Sequence, residues 1–298
     1  MTICRFERQY ESQSWMELLR PQNIVRVHCA IFTHIWSQYT GTNAMMYYIV
    51  YIFQMAGLSG NANLLASSIQ YIINVAMTVP ALMFVDRWPR RRLMMAGSFL
   101  LAVFLFTQAG LMASYGHAVP GGLDGAPTVT WVVTHSRASK AIIACSYLFI
   151  ATYAPTWGYV WLLCHSDRNV LTCYRPAGWI YPTEIIPLYI RSKAVSLSTA
   201  FNWICNFALT FYTPPGFKNI QWKVHCIFGT FCLTAFIHVF LLFQESRGKS
   251  LEEMDDVFNN QSIWAFRVHE AGSRFSADVE AAKRDLETGK ADNVEPKH

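Results

Sequence analysis

The sequence predicts an all-α integral membrane protein: a bundle of six transmembrane helices followed by a mostly helical or disordered cytosolic tail. Three observations predict it. Charged residues make up 14% of the 298 residues while hydrophobic residues make up 53%, against about 25% charged in an ordinary soluble domain. The charge deficit is concentrated in five runs without Asp, Glu, Lys or Arg: Val27 to Val85, Leu93 to Leu123, Ala141 to Ser166, Ala194 to Phe217 and Val224 to Gln244. A membrane helix needs about 20 apolar residues, so each run holds one span and the first holds two. The basic residues between the runs fall on alternate connections. This pattern excludes a soluble enzyme, a secreted disulfide scaffold and a nucleic-acid binder.

The spans follow in order. The first covers 27–54 and the second 61–85, with a turn at Gly57 to Asn61. The third covers 93–115, the fourth begins near Lys140, the fifth covers 193–213 and the sixth 223–243. Residues 1–26 are a cytosolic connector, 27–244 the membrane domain and 245–298 a cytosolic tail. The body to residue 244 carries 16 Lys+Arg against 7 Asp+Glu, and the tail carries 8 against 12. Arg5, Arg8, Arg20 and Arg26 precede span one, Arg87 and Arg90 to Arg92 join spans two and three, and Arg191 and Lys193 join spans four and five. The positive-inside rule therefore places both termini in the cytosol.

Two spans carry breaks: Gly41-Thr42-Asn43 in the first, Pro155 and Gly158 in the fourth. Proline removes a donor and glycine loosens a helix. Within a membrane such breaks persist where protein or a wet cavity satisfies the freed groups, and they mark binding sites in transporters. Amides occur at similar depths: Gln38 and Asn43, Asn74, and Asn202 with Asn206. They are either ligand contacts or interhelical hydrogen bonds. The eight cysteines are scattered with no C-x-x-C, and Cys164, His165 and Cys173 lack a fourth ligand, so no metal site is expected. Neither a cofactor nor a catalytic constellation is indicated.

Motifs in a fixed order identify a resemblance. Ser37-Gln38-Tyr39-Thr40-Gly41-Thr42-Asn43, then Tyr47-Tyr48, is similar to Q-Q-x-x-G-x-N…Y-Y. Asp86-Arg87-Trp88-Pro89-Arg90-Arg91 is similar to D/E-R-x-G-R-R. Trp179-Ile180-Tyr181-Pro182-Thr183-Glu184, then Pro187 and Arg191, is similar to P-x-E…R. Asn202-Trp203-Ile204-Cys205-Asn206-Phe207 is similar to N-W-x-x-N-F, and Glu245-Ser246-Arg247-Gly248 to P-E-T-K-G. Together they resemble the C-terminal half of a sugar porter of the major facilitator superfamily, of the fungal hexose-transporter kind.

The resemblance implies transmembrane transport of a hexose or related small saccharide by alternating access, with this chain supplying one half of the fold. A transporter-like sugar sensor and a nonfunctional truncated fragment are the alternatives. It implies sugar contacts at Gln38, Asn43, Asn74, Trp179 and Asn202, with Ser37, Tyr47, Tyr48 and Asn206 secondary. The chemistry fits, since an amide offers a donor and an acceptor to a hydroxyl and an aromatic ring covers the sugar's apolar face. It also implies a cytosolic gate of salt bridges among Asp86, Arg90, Arg91, Glu184, Arg191 and Glu245. The implied partners are a small sugar, the lipid bilayer (the plasma membrane) and, in coupled members of the family, protons.

The chain departs from the family pattern in places. Ser37 stands for the first Gln, Pro89 for a Gly, Arg92 for a Pro and Gln244 for a Pro. Tyr159 to Arg175 interrupts the fourth span between Thr156-Trp157-Gly158 and Pro176-Ala177-Gly178-Trp179. This segment places Asp167, Arg168 and Arg175 at apolar depth, at about 2.5–3.5 kcal/mol each on insertion scales. Excising it restores the family pattern, and its 17 residues keep the reading frame. It reads as a retained intron that either lengthens span four or forms a loop displacing Trp179.

Overall fold

A computed structural model describes residues 14–84, 88–119, 129–158, 177–247, 249, 253–254, 257–258 and 265; for 82–84 and 177–180 it describes the backbone alone. The segment 159–175 and Asp86 lie outside the described residues, as does the side chain of Trp179.

A short 3-10 turn, Trp15–Leu19, leads into α1, Pro21–Tyr39. Pro21 starts the helix at a position where its missing N–H is not needed. The first expected span, 27–54, does not form one helix. It continues as α2, Thr42–Tyr47, and α3, Ile49–Met55. The break comes at Gly41, which adopts φ 83°, a left-handed conformation that strains other residues. A Cβ there would also lie 2.6 Å from the Phe228 ring.

The remaining helices are α4 (Gly60–Phe84), α5 (Arg90–Tyr115), α6 (Ser136–Thr156), α7 (Ala177–Ile185), α8 (Leu188–Asn219) and α9 (Lys223–Leu242). Helix α5 packs on α6 and α9, α4 on α6, and α1 on α8 and α7. A two-stranded antiparallel hairpin, β1 (Gly116–Ala118) with β2 (Trp131–Val133), follows α5, with His117 opposite Val132. The sequence reading did not include it. Trp131 ties it to α5 by donating to the Met112 carbonyl at 2.9 Å.

Among the described residues, four helices are long and apolar enough to cross a membrane: Gly60–Ala81, Arg90–Tyr115, Leu188–Asn219 and Lys223–Leu242. The first run is cut at Gly41 and Tyr48, and α6 opens with Arg137 and Lys140 in its first turns. The fifth span is longer than expected, with 32 helical residues against an expected 193–213, and Pro214 and Pro215 lie inside it. A proline leaves the carbonyl four residues earlier without its helical donor. For Pro214 that carbonyl belongs to Thr210, and it accepts instead from the Tyr48 hydroxyl at 3.0 Å.

The carbonyl of Met46, at the break between α2 and α3, accepts from the Tyr71 hydroxyl at 2.7 Å. Val50 accepts from Asn63 Nδ2 at 3.1 Å. Polar side chains of neighbouring elements thus satisfy the discontinuous segment, as a nonaqueous surrounding demands. Tail residues Met254, Val257 and Ala265 are buried, so part of the tail packs on the body.

Candidate functional site

The break at Gly41 exposes a polar interior. Gln38 is in the last turn of α1 and Asn43 in the first turn of α2. Asn43 Nδ2 donates to Gln38 Oε1 at 2.6 Å, and Gln38 Nε2 donates to Asn202 Oδ1 on α8 at 2.8 Å. The result is a directed chain of three amides across three helices, α1, α2 and α8, with Asn43 Oδ1 as the acceptor at its start. Gln38 is 1% and Asn202 3% exposed, so each amide must find polar partners within the protein.

His34, one turn before Gln38 on α1, also hydrogen-bonds the Asn202 side chain. Residues four apart share a helix face, so His34 and Gln38 meet the same amide. His34 is not among the contacts expected from the sequence. Its i, i+4 spacing to Gln38 was the available signal.

Ser37 lies beside this chain. Its hydroxyl is 3.0 Å from the Tyr153 hydroxyl and donates to the Trp157 carbonyl at 3.4 Å. Trp157 is fully buried and donates to Ser98 Oγ on α5 at 3.0 Å. Tyr153 and Trp157, absent from the sequence-level site, thus link the site to α5 and α6. An aromatic residue in an apolar run gives no sign that its polar tip faces inward.

The other expected contacts are placed differently. Asn206 is buried, and its Oδ1 accepts from Thr210 Oγ1 on its own helix at 3.3 Å. Asn74 on α4 is half-buried, and its side chain makes no hydrogen bond among the described residues. Tyr47 is 54% exposed, whereas Tyr48 donates to α8. The backbone of Trp179 lies in α7.

A second constellation sits where α5 begins. Arg90 NH2 is 3.3 Å from Glu184 Oε1. Glu184 Oε2 accepts from Ser246 Oγ at 2.5 Å. Glu245 Oε1 accepts from the Arg90 backbone N–H at 2.8 Å, and Oε2 from that of Arg91 at 3.1 Å. Pro89, the residue before α5, provides no side-chain cap. Glu245 supplies it from the far end of α9, as an anion on the positive end of a helix. Arg91 NH2 donates to the Phe240 carbonyl at 2.7 Å. Arg191 reaches no carboxylate among the described residues and donates twice to the Ile186 carbonyl, at 3.2 and 3.0 Å.

Comparison with known proteins supplies the family. The family model described as "Sugar (and other) transporter" matches residues 2–168 and 170–258. A high-affinity glucose transporter of Kluyveromyces lactis is 41% identical over 253 residues, which cover 84% of this chain and 43% of that protein. A high glucose sensor of Saccharomyces cerevisiae is 30% identical over 288 residues, 92% of this chain and 33% of that protein. The chain thus spans less than half the length of these relatives. Among solved structures, the inward-open xylose transporter from E. coli superposes with a TM-score of 0.59 at 19% identity, covering 86% of this chain and 46% of that one. That likeness shows a shared helical fold. The chain belongs to the sugar transporter family, whose members are not enzymes.

Proposed function

We propose that the chain is the C-terminal half of a sugar transporter: six spans with both termini in the cytosol, carrying a hexose or related small saccharide across the plasma membrane. In this reading residues 1–26 are the connector, 27–244 the six-helix domain and 245–298 the tail. Alternating access needs a second half against which this one rocks. The segment 159–175 is then a retained intron, and transcript reads that all contain its 51 bases would overturn that part. An open frame upstream of Met1 encoding six more spans would establish the missing half.

The observation that carries the reading is the amide chain from Asn43 through Gln38 to Asn202. Three neutral amides converge at a helix break, two of them buried. Structural interhelical bonding needs one such pair. Three amides present alternating acceptors and donors, the pattern a row of hydroxyls requires. A neutral site also lets the sugar leave, since no ion pair must be broken. Asn74, Trp179, Ser37, Tyr47, Tyr48 and Asn206 complete the proposed surroundings.

The charged cluster at the start of α5 is the proposed inner gate. Arg90, Glu184, Ser246 and Glu245 join the ends of α5, α7 and α9, so parting those helices breaks bonds between elements. Asp86, Arg91 and Arg191 are its further proposed members. Sugar uptake by the complete, spliced protein tests the reading, and simultaneous proton uptake separates coupled from downhill transport. Gln38→Ala should abolish most uptake while the protein still reaches the membrane; unchanged uptake would refute the site.

The similarity to a glucose sensor favours one second reading, a receptor that signals through its tail. Zero flux in the complete protein, combined with sugar-dependent association of a cytosolic partner, would establish it.

A further inference from the structure

An apolar groove of about 350 Å³ lies between the 3-10 turn, α1 and α8. Trp15 and Leu18 of the 3-10 turn, Ile24, His28 and Ile31 of α1, and Leu197 of α8 line it. This size falls within the range of small-molecule pockets, about 300–1,000 Å³. The Tyr189 hydroxyl donates to Asn23 Oδ1 at 3.1 Å, which sets these points of α8 and α1 at one level. Ile31 and Leu197 each lie eight residues further on, about 12 Å deeper along their helices. The groove therefore has a mouth near Trp15 and an apolar deep end.

Two polar features punctuate it. At the mouth, Lys193 Nζ sits over the Trp15 ring, 5.9 Å from its centroid. Below it is His28, whose proton can be located from its neighbours. Trp36 Nε1 can only donate, and it donates to His238 Nδ1 at 2.7 Å. His238 Nδ1 is therefore unprotonated, and the neutral ring carries its proton on Nε2. That atom faces His28 Nε2 at 3.1 Å. His28 accepts there, so its own proton is on Nδ1, leaving one donor on a residue that lines the groove.

The order is a cation and an aromatic ring at the mouth, one hydrogen-bond donor below and apolar walls at depth. It matches the order of phosphate, ester carbonyl and acyl chain in a phospholipid. We infer that this groove is a binding site for an anionic phospholipid, its headgroup on Lys193 and its acyl chain between Ile31 and Leu197. Trp15 and the exposed Met16 and Leu19 are placed to rest in the same interfacial layer. The site is separate from the proposed sugar contacts, and only its assignment to the cytosolic leaflet rests on the orientation proposed above.

Native mass spectrometry of the full chain released from detergent tests this with phosphatidylserine and phosphatidylcholine as probes. The wild type should retain phosphatidylserine over phosphatidylcholine by about fivefold, the attraction of one lysine to an anionic surface. Lys193→Glu, at the rim, should remove that preference. Leu197→Trp should fill the deep end and lower retention of both lipids; circular dichroism and elution volume check that each variant is folded. Equal retention of the two lipids by the wild type would overturn the inference. So would lipid retention that appears only after deleting residues 2–13, since the chain's own N-terminus would then be the occupant. Should Leu197→Trp fail to fold, the loss of preference in Lys193→Glu decides the matter alone.

Discussion

The Tyr48 hydroxyl donates to the Thr210 carbonyl, the acceptor that Pro214 deprives of its helical donor. One break, in the α1–α2–α3 segment, therefore satisfies another in α8. Tyr48→Phe leaves that carbonyl unpaired and should destabilise the fold by about 1–3 kcal/mol. In a Pro214→Ala background, a helical N–H can reach Thr210, and the same change should cost much less. Thermal unfolding of the four proteins in detergent measures this coupling; equal costs in both backgrounds would refute it.

Asn202 is a buried link between α1 and α8 and a proposed sugar contact. Asn202→Ala removes the acceptor for Gln38 Nε2 and the partner of His34. Folded yield should fall, and sugar affinity per folded molecule should weaken by about 1–3 kcal/mol. Ligand binding normalised to folded protein separates the two effects. Unchanged affinity would leave Asn202 a structural residue only.

Glu245 caps α5 from a distance. Glu245→Ala removes the acceptor of two α5 backbone N–H groups and of the Arg247 N–H, and should cost about 0.5–2 kcal/mol, the range for a lost helix cap. Glu245→Gln retains an oxygen acceptor and should recover part of the loss. Melting temperatures of the two variants test the order: if Gln is no better than Ala, capping is not the role of this side chain.

The Arg90–Glu184 pair offers a test of gating. Glu184→Gln weakens the bond to Arg90 NH2 without changing side-chain size. A cysteine introduced into the interior should then react faster with a membrane-impermeant thiol reagent added from the cytosolic side. An unchanged rate would mean that this pair does not hold the inner end closed.

Gly41→Ala should be severe for two independent reasons. The left-handed φ strains any side chain, at about 1–3 kcal/mol, and the new methyl group meets the Phe228 ring. Phe228→Ala in the same protein should remove the collision and leave the backbone strain. Partial recovery of folded yield is therefore expected; full recovery would show that φ carries no cost there.

Much of this protein was legible in its sequence. Four of the expected spans form helices of membrane length, because hydrocarbon admits little charge over a span. Gly41 marks the break because only glycine enters the left-handed region freely. Gln38, Asn43 and Asn202 could be singled out because an amide in an apolar run must find a partner. The identity of that partner could not be read, since it depends on which helix faces which across 164 residues of chain between Gln38 and Asn202. The same limit concealed Tyr153 and Trp157, whose polar tips take their direction from packing. It also concealed the cap on α5: the resemblance places Glu245 among the gate salt bridges, and its bonds to the Arg90 and Arg91 backbone N–H groups follow only from where α9 returns it. Composition and spacing thus determined the membrane class, the helix break and the polar residue types. Only the tertiary structure decided their partners, because hydrogen bonds between distant segments follow from how the helices assemble.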